Sequence, residues 1–300
     1  MKPVQRAYLE LHLAVFLFGL TAIFGDLIQL SAFMIVWWRV LFTSISLVFL
    51  IRVRHLFRTL PRKTILQLMG IGVIVGLHWV TFYGAVKMSN VSMCLIGLST
   101  TSVFTAFLEP WIFREKIKWY EVFLSLLIVP GMILVVNSTD LALLDGLLMA
   151  VLSALLIALF AILNRKMVSN INELDITFLE LGSAWIFLTL LLPAYALING
   201  GWPEIIPSRW LDFLYLVILA LLCTTFAYVL ALRALRFISA FASNLTMNME
   251  PVYGIILAWI LLKENQELDP NFYYGAVIIL SAVFCYPFLR KMLANRASKA

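Results

Sequence analysis

The chemistry of this chain starts at Glu250. It lies 12 residues from either end of an apolar run, Ile238 to Leu262, which is roughly 18 Å of helical rise on each side. A side chain cannot snorkel that far, and an ionised carboxylate in hydrocarbon is expensive. Glu250 must therefore be protonated, be paired, or line a wet cavity. Pro251 follows it and removes an N–H, leaving the carbonyl of Met247 without its helical partner. On a continuous helix Ser243, Thr246 and Glu250 share one face at i, i+3 and i+7, a face suited to a substrate amine or a transported proton. The alternative is a buried pair with Arg39 that only holds two helices together. Arg39 is the one cation inside an apolar run, about 10 Å from its end, so it should pair with a carboxylate or face water. An ion pair or a gate is the expected role, ahead of substrate contact.

Neutral polar groups share the depth of Glu250: Thr21, His78, Ser99 to Ser102, Thr224, Thr225 and Asn248. A Ser or Thr can bond its own helix, and His78 can serve as a neutral interhelical donor. Trp79 and Tyr83 flank His78 and could stack on a ligand or pack in the core. The expected substrate-lining set is His78, Trp79, Tyr83, Ser99, Ser102, Thr225, Asn248 and Glu250. Glu109 and Glu180 lie nearer the ends of their runs, where a charge costs less; Glu109 is expected, with Arg39, as a gate or ion pair, and Glu180 as structural.

Other chemistries lack their residues. His12, His55 and His78 are scattered, and no Ser–His pair or carboxylate pair shares a depth. No G-x-x-x-x-G-K-[ST] loop is present. Cys94, Cys223 and Cys285 sit in apolar runs without metal-ligand spacing. No metal, cofactor or enzymatic activity is expected. A membrane-embedded enzyme and a non-transporting sensor or scaffold are the alternatives to transport.

These residues are carried by a very apolar chain. Of 300 residues 63% are apolar and 13% charged, against about 45–50% and 25% in soluble domains. Lipid is the solvent that accepts such a surface. The net charge of +6 does not point to nucleic acid, because the basic residues sit at the ends of apolar runs. Ten runs approach the roughly 20 residues that a span needs: Leu9–Leu30, Ala32–Ile51, Leu66–Val86, Val91–Phe113, Trp119–Val136, Leu141–Leu163, Leu174–Ile198, Leu211–Leu232, Ile238–Leu262 and Asn271–Leu289. The first is read as a membrane helix rather than a cleaved signal. With the N-terminus inside, 18 of the 22 Lys and Arg fall in inside segments and 3 outside, as the positive-inside rule asks. Both termini are then cytoplasmic, in a multi-pass protein of the inner (plasma) membrane. Pro110, Pro130, Pro193, Pro251 and Pro287 lie in or at the ends of these runs and can kink them for rocking motions.

Ala85 to Glu115 can be laid on Ala234 to Glu264 without a gap, setting Arg114 on Lys263 and Glu115 on Glu264. The copies are five spans apart, an odd number, so they must be inverted. Inverted repeats are found in secondary transporters, with the substrate site near the midplane. The expected architecture is an all-α integral membrane protein: ten transmembrane helices as two inverted five-helix repeats, 1–138 and 139–300, around a central cavity. The expected partners are the bilayer and a small-molecule solute, with proton or ion coupling and a homodimer both left open.

Several segments resemble the EamA family of the drug/metabolite transporter superfamily. They are Phe18-Gly19-Leu20-Thr21-Ala22-Ile23-Phe24, Trp38-Arg39-Val40, Phe160 to Lys166, Ala231-Leu232-Arg233 through Ser239-Ala240, Glu250-Pro251-Val252-Tyr253, and Lys263-Glu264. The resemblance covers nearly the whole chain. It implies two five-helix bundles with helices five and ten at the back, and export or exchange of a small metabolite such as an amino acid. Ser125 and Ser281, almost the only polar groups of those two helices at depth, are expected away from the cavity.

Overall fold

The computed structural model describes residues 2–126, 128–137, 141–168, 171–247, 249–263, 270–278, 281 and 285. Among them the regular structure is helical. The helices are α1 (Pro3–Leu27), α2 (Ala32–Val48), α3 (Val53–Thr59), α4 (Arg62–Met88), α5 (Val91–Leu98), α6 (Thr101–Phe113), α7 (Trp119–Leu126) and α8 (Ile128–Asn137). There follow α9 (Leu144–Met167), α10 (Glu173–Ile198), α11 (Trp210–Ala220), a π-helical turn (Leu221–Phe226), α12 (Ala227–Leu235), α13 (Ala240–Met247) and α14 (Glu250–Leu261).

The chain is a multi-pass, all-helical membrane protein. Six stretches are long and apolar enough to cross a membrane: α1, α4, α5 with α6, α9, α10, and α11 through α12. A seventh arises if α2 and α3 form one span, bent by 89°. The run expected at Ala32–Ile51 thus ends early, and the Arg-bearing α3 turns away from it. The tenth expected run, Asn271–Leu289, lies largely outside the described residues. Exposed Trp111, Trp119, Trp202 and Trp210 stand near helix ends, where indole rings favour the membrane interface.

Local sequence explains the helix limits. Ser31, Asn90 and Asn172 cap α2, α5 and α10, accepting from Met34 N (3.4 Å), Met93 N (2.8 Å) and Leu174 N (2.9 Å). Glu173 and Asp175 open α10, and Arg165 and Lys166 close α9, each on the favourable end of the helix dipole.

The register that sets Ala85 on Ala234 carries over to the elements. It places the start of α5 on that of α13 and the start of α6 on that of α14. Arg114 and Lys263 fall together too, and they are the two non-glycine residues with positive φ among those described (56° and 60°). Two thin sequence segments therefore share a broken helix and the same left-handed ending. Packing is reciprocal: α5 meets α14, α6 meets α13, α4 packs on α9, and α1 packs on α12. At the crossing of α1 and α14 a Cβ on Gly19 would lie 3.2 Å from Tyr253 Cβ, so small residues let these helices approach closely.

Helix α7 contributes no residue to the cavity described below. Ser125 is buried and donates to Ser102 O (3.2 Å) and Glu121 O (2.8 Å), so one face of α7 packs on α6 while Phe123 and Leu126 are exposed. Ser281 is exposed and donates to Val277 O.

Candidate functional site: an amphoteric cavity at two helix breaks

A cavity of about 880 Å³, mouth included, opens between the two broken spans. Leu98, Ser99 and Thr101 flank the first break and Met247, Glu250 and Pro251 the second, and all six line the cavity. The repeat register pairs Leu98 with Met247 and Thr101 with Glu250. Helix breaks at matching positions of two halves are the expected place for a transport site. Aromatic rings of Phe18, Trp79, Phe82, Phe160 and Tyr228 complete much of the wall.

Arg39 supplies the positive pole. It is 1% exposed, and its guanidinium stacks on Trp79, 3.9 Å from the ring centroid. Nε donates to Thr224 Oγ1 (2.6 Å), Nη1 to Tyr83 Oη (2.8 Å) and Nη2 to Cys223 O (3.4 Å). Two of these acceptors, Thr224 and Cys223, belong to the π-helical turn, in which Thr224 and Thr225 donate to the carbonyls five residues back, Leu219 and Ala220. Thr43 Oγ1 also donates to Ala220 O, and Ser46 bonds Thr225. Alpha-helix 2 and the π turn are thus stapled together, and such turns often mark functional sites. The expected carboxylate partner of Arg39 does not exist among the described residues. Neutral acceptors and an aromatic face hold the cation, which removes the need for a Glu250–Arg39 pair. Three of the five guanidinium N–H groups are occupied, and two remain for an anion in the cavity.

Glu250 supplies the acidic group. It is buried, opens α14, and lines the same cavity as Arg39. No hydrogen bond or ion pair to another described residue engages it. Helix α13 ends at Met247 and α14 opens at Glu250, and the face anticipated for Ser243, Thr246 and Glu250 is realised in part. Ser243 and Glu250 both reach the cavity, whereas Thr246 donates back to Ala242 O (2.9 Å) and does not.

The remaining expected residues divide. His78, Trp79 and Ser99 line the cavity. His78 is also tied to α9, its Nδ1 meeting Ser153 Oγ at 2.8 Å and Ser153 O at 3.0 Å. Tyr83, Ser102 and Thr225 do not line the cavity; they stand behind it, where Tyr83 orients Arg39, Ser102 bonds Ser99 O (3.4 Å) and Thr225 bonds Ser46. Asn248 lies outside the described residues. Glu109 is away from the cavity, buried, and forms an ion pair with the half-buried Arg165, joining α6 to α9. Phe18, Phe82, Phe160, Ser153 and Tyr228 were missed, since an aromatic or a serine in an apolar helix carries no sign of which way it faces.

Interrupted helices around a cavity lined by an arginine and a carboxyl suit a class, the multi-pass membrane transporters. Two stretches of the chain, residues 5–137 and 144–286, match the EamA-like transporter family, and the chain belongs to it, as the sequence resemblance implied. An uncharacterized transporter, YxxF, of Bacillus subtilis (strain 168) is 24% identical over 304 residues, covering 98% of this chain and 93% of its own. A protein of known crystal structure, 13% identical, superposes with a TM-score of 0.64 over 92% of this chain and 95% of its own. That likeness concerns the fold alone.

Proposed function

We propose that this EamA-family transporter is a secondary carrier for a zwitterionic metabolite such as an amino acid. The carrying observation is the amphoteric cavity. Arg39 offers two free N–H groups to a carboxylate, Glu250 faces the same space for an ammonium group, and Phe18, Phe82 and Phe160 provide an apolar wall for a side chain. A multiply charged phosphate ester would meet one cation and one anion, a poor match. The energy comes from an ion gradient or from the solute's own gradient.

Ten spans form two inverted repeats, 1–138 and 139–300, with both termini cytoplasmic. The shared helix limits, the reciprocal packing and the charge bias support this reading. Thiol labelling of intact cells tests the orientation in a chain lacking Cys94, Cys223 and Cys285. An impermeant reagent should modify Glu204→Cys and spare Arg58→Cys; the reverse pattern overturns it.

Counterflow into proteoliposomes tests the substrate class, with each radiolabelled L-amino acid and, for contrast, glucose 6-phosphate. At least one amino acid should exchange and the phosphate ester should not. Arg39→Lys keeps the charge but loses the planar fork, so exchange should fall about tenfold or more. Exchange of the phosphate ester alone would overturn the zwitterion reading.

A further inference from the structure

Glu180 was expected to be a structural residue near a helix end, and the fold gives it a different setting. It lies about 10 Å into α10 by helical rise and is fully buried. Its Oε2 accepts a hydrogen bond from Tyr228 Oη. The amide of Asn164, equally buried on α9, adjoins the carboxyl. The amide lies close enough to act on the carboxyl, yet Glu180 Oε1, Asn164 Oδ1 and Asn164 Nδ2 reach full hydrogen-bond geometry with no described residue. A buried carboxyl and amide side by side without a well-formed bond leave room for a change of partner, since buried polar groups are nearly always bonded.

Among the described residues no cation holds this carboxyl. Alpha-helix 4 presses on α10 with backbone, where a Cβ on Gly72 would collide with Glu180 O. On the same helix His78 is turned to Ser153. From α2, Arg39 is committed to Thr224, Tyr83 and Cys223, and its field acts on Tyr228. From α9, Arg165 is turned to Glu109. From α12, Arg233 reaches Glu10 and Glu173, the latter on α10 itself. Asp175, also on α10, is only half-buried. Buried without a counterion, Glu180 can exist as the acid as well as the anion.

The amide suits both forms. With the anion, Asn164 Nδ2–H can donate to Oε1; with the acid, Oε1–H can donate to Asn164 Oδ1. Tyr228 Oη serves either form and is itself on the wall of the cavity, its ring packed against Trp79 and Phe160. A proton from cavity water added to Tyr228 Oη, with the phenolic proton passed to Glu180 Oε2, leaves Tyr228 unchanged and moves one proton; a half-turn of the carboxyl then carries the O–H round to Asn164 Oδ1.

We propose that Glu180, Tyr228 and Asn164 form a proton-carrying site on the cavity wall, and that solute movement is coupled to protons through Glu180 while Glu250 meets the solute. The coupling half of this proposal rests on the transporter reading above; the proton site does not.

Infrared difference spectroscopy of the reconstituted protein needs no solute. Between about pH 4 and pH 9 a carboxyl C=O band should titrate, vanish in Glu180→Gln and persist in Glu250→Gln. Tyr228→Phe and Asn164→Leu should each displace that band, which keeps the test alive if Glu180→Gln does not fold. Absence of any titrating band that depends on these residues overturns the proton site. In proteoliposomes, with an amino acid that passes the counterflow screen, Glu180→Gln should lower pH-driven net flux about tenfold and spare exchange at equal pH. Unchanged pH-driven flux overturns the coupling. A titrating band with no amino acid exchanged would sink the zwitterion reading and the coupling while leaving the proton site; exchange without the band would do the opposite.

Discussion

The broken spans α5/α6 and α13/α14 have matching starts and a matching left-handed ending, yet they bring different chemistry to the cavity. Thr101 opens α6 and returns its hydroxyl to Leu98 O (2.6 Å), so its polarity is spent on its own chain. Glu250 opens α14 at the equivalent place and is bonded to no described residue. The repeat has kept a backbone device, the break that exposes a polar ring in a membrane helix, while the side chains at the break have diverged. The site is therefore polar in one direction, with the carboxyl of Glu250 on α14 and its cation, Arg39, on α2.

The largest effect expected from this contrast is on flux. Glu250→Gln should fold normally and lose about tenfold or more of amino acid exchange, whereas Thr101→Val should stay within about twofold, since it removes a hydroxyl already bonded locally. Equal losses would show that the halves contribute alike. The next effect is on stability. Gly254 of α14 corresponds to Thr105 of α6, and a Cβ at Gly254 would overlap Leu95 Cδ1. Transplanting the first-half residue, Gly254→Thr, should destabilise by roughly 2 kcal/mol through overpacking. A thermal unfolding midpoint in detergent equal to that of the parent would mean that this crossing is looser than its geometry implies. The smallest effect should be shared by both halves. Arg114 and Lys263 hold positive φ, which is uphill for a residue with a Cβ, so Arg114→Gly and Lys263→Gly should each stabilise by about 0.5 kcal/mol after the greater unfolded-state entropy of glycine is subtracted. Opposite signs in the same melting experiment would break the equivalence of the two endings.

Two carboxylates give a further lesson about reading charge. Glu109 and Glu180 look alike in the chain, each near the end of an apolar run. Folding brings Arg165 to Glu109 and, among the described residues, Tyr228 and Asn164 to Glu180. Arginines at the helix ends acquire partners in the same way. Arg6 and Arg233 share Glu10, while Arg233 and Arg236 share Glu173, tying α1, α10 and α12 together.

The sequence by itself determined that the chain lives in lipid, where most of its helices run, and that the segments around Glu115 and Glu264 are versions of one pattern. Composition, run length and charge at run ends are local properties, and lipid imposes them on each helix separately. It also singled out Arg39 and Glu250, because a charge at depth is conspicuous without any knowledge of its neighbours. Only the tertiary structure decided what those charges meet. Arg39 finds Thr224 and Cys223 nearly two hundred positions later, on a π turn that no periodicity announced. Tyr83 and Thr225 fall behind the cavity, and Phe160 and Tyr228 fall on its wall. In a helix that is apolar on every side the pattern does not say which face points inward, and that choice is made by the packing of one helix against another.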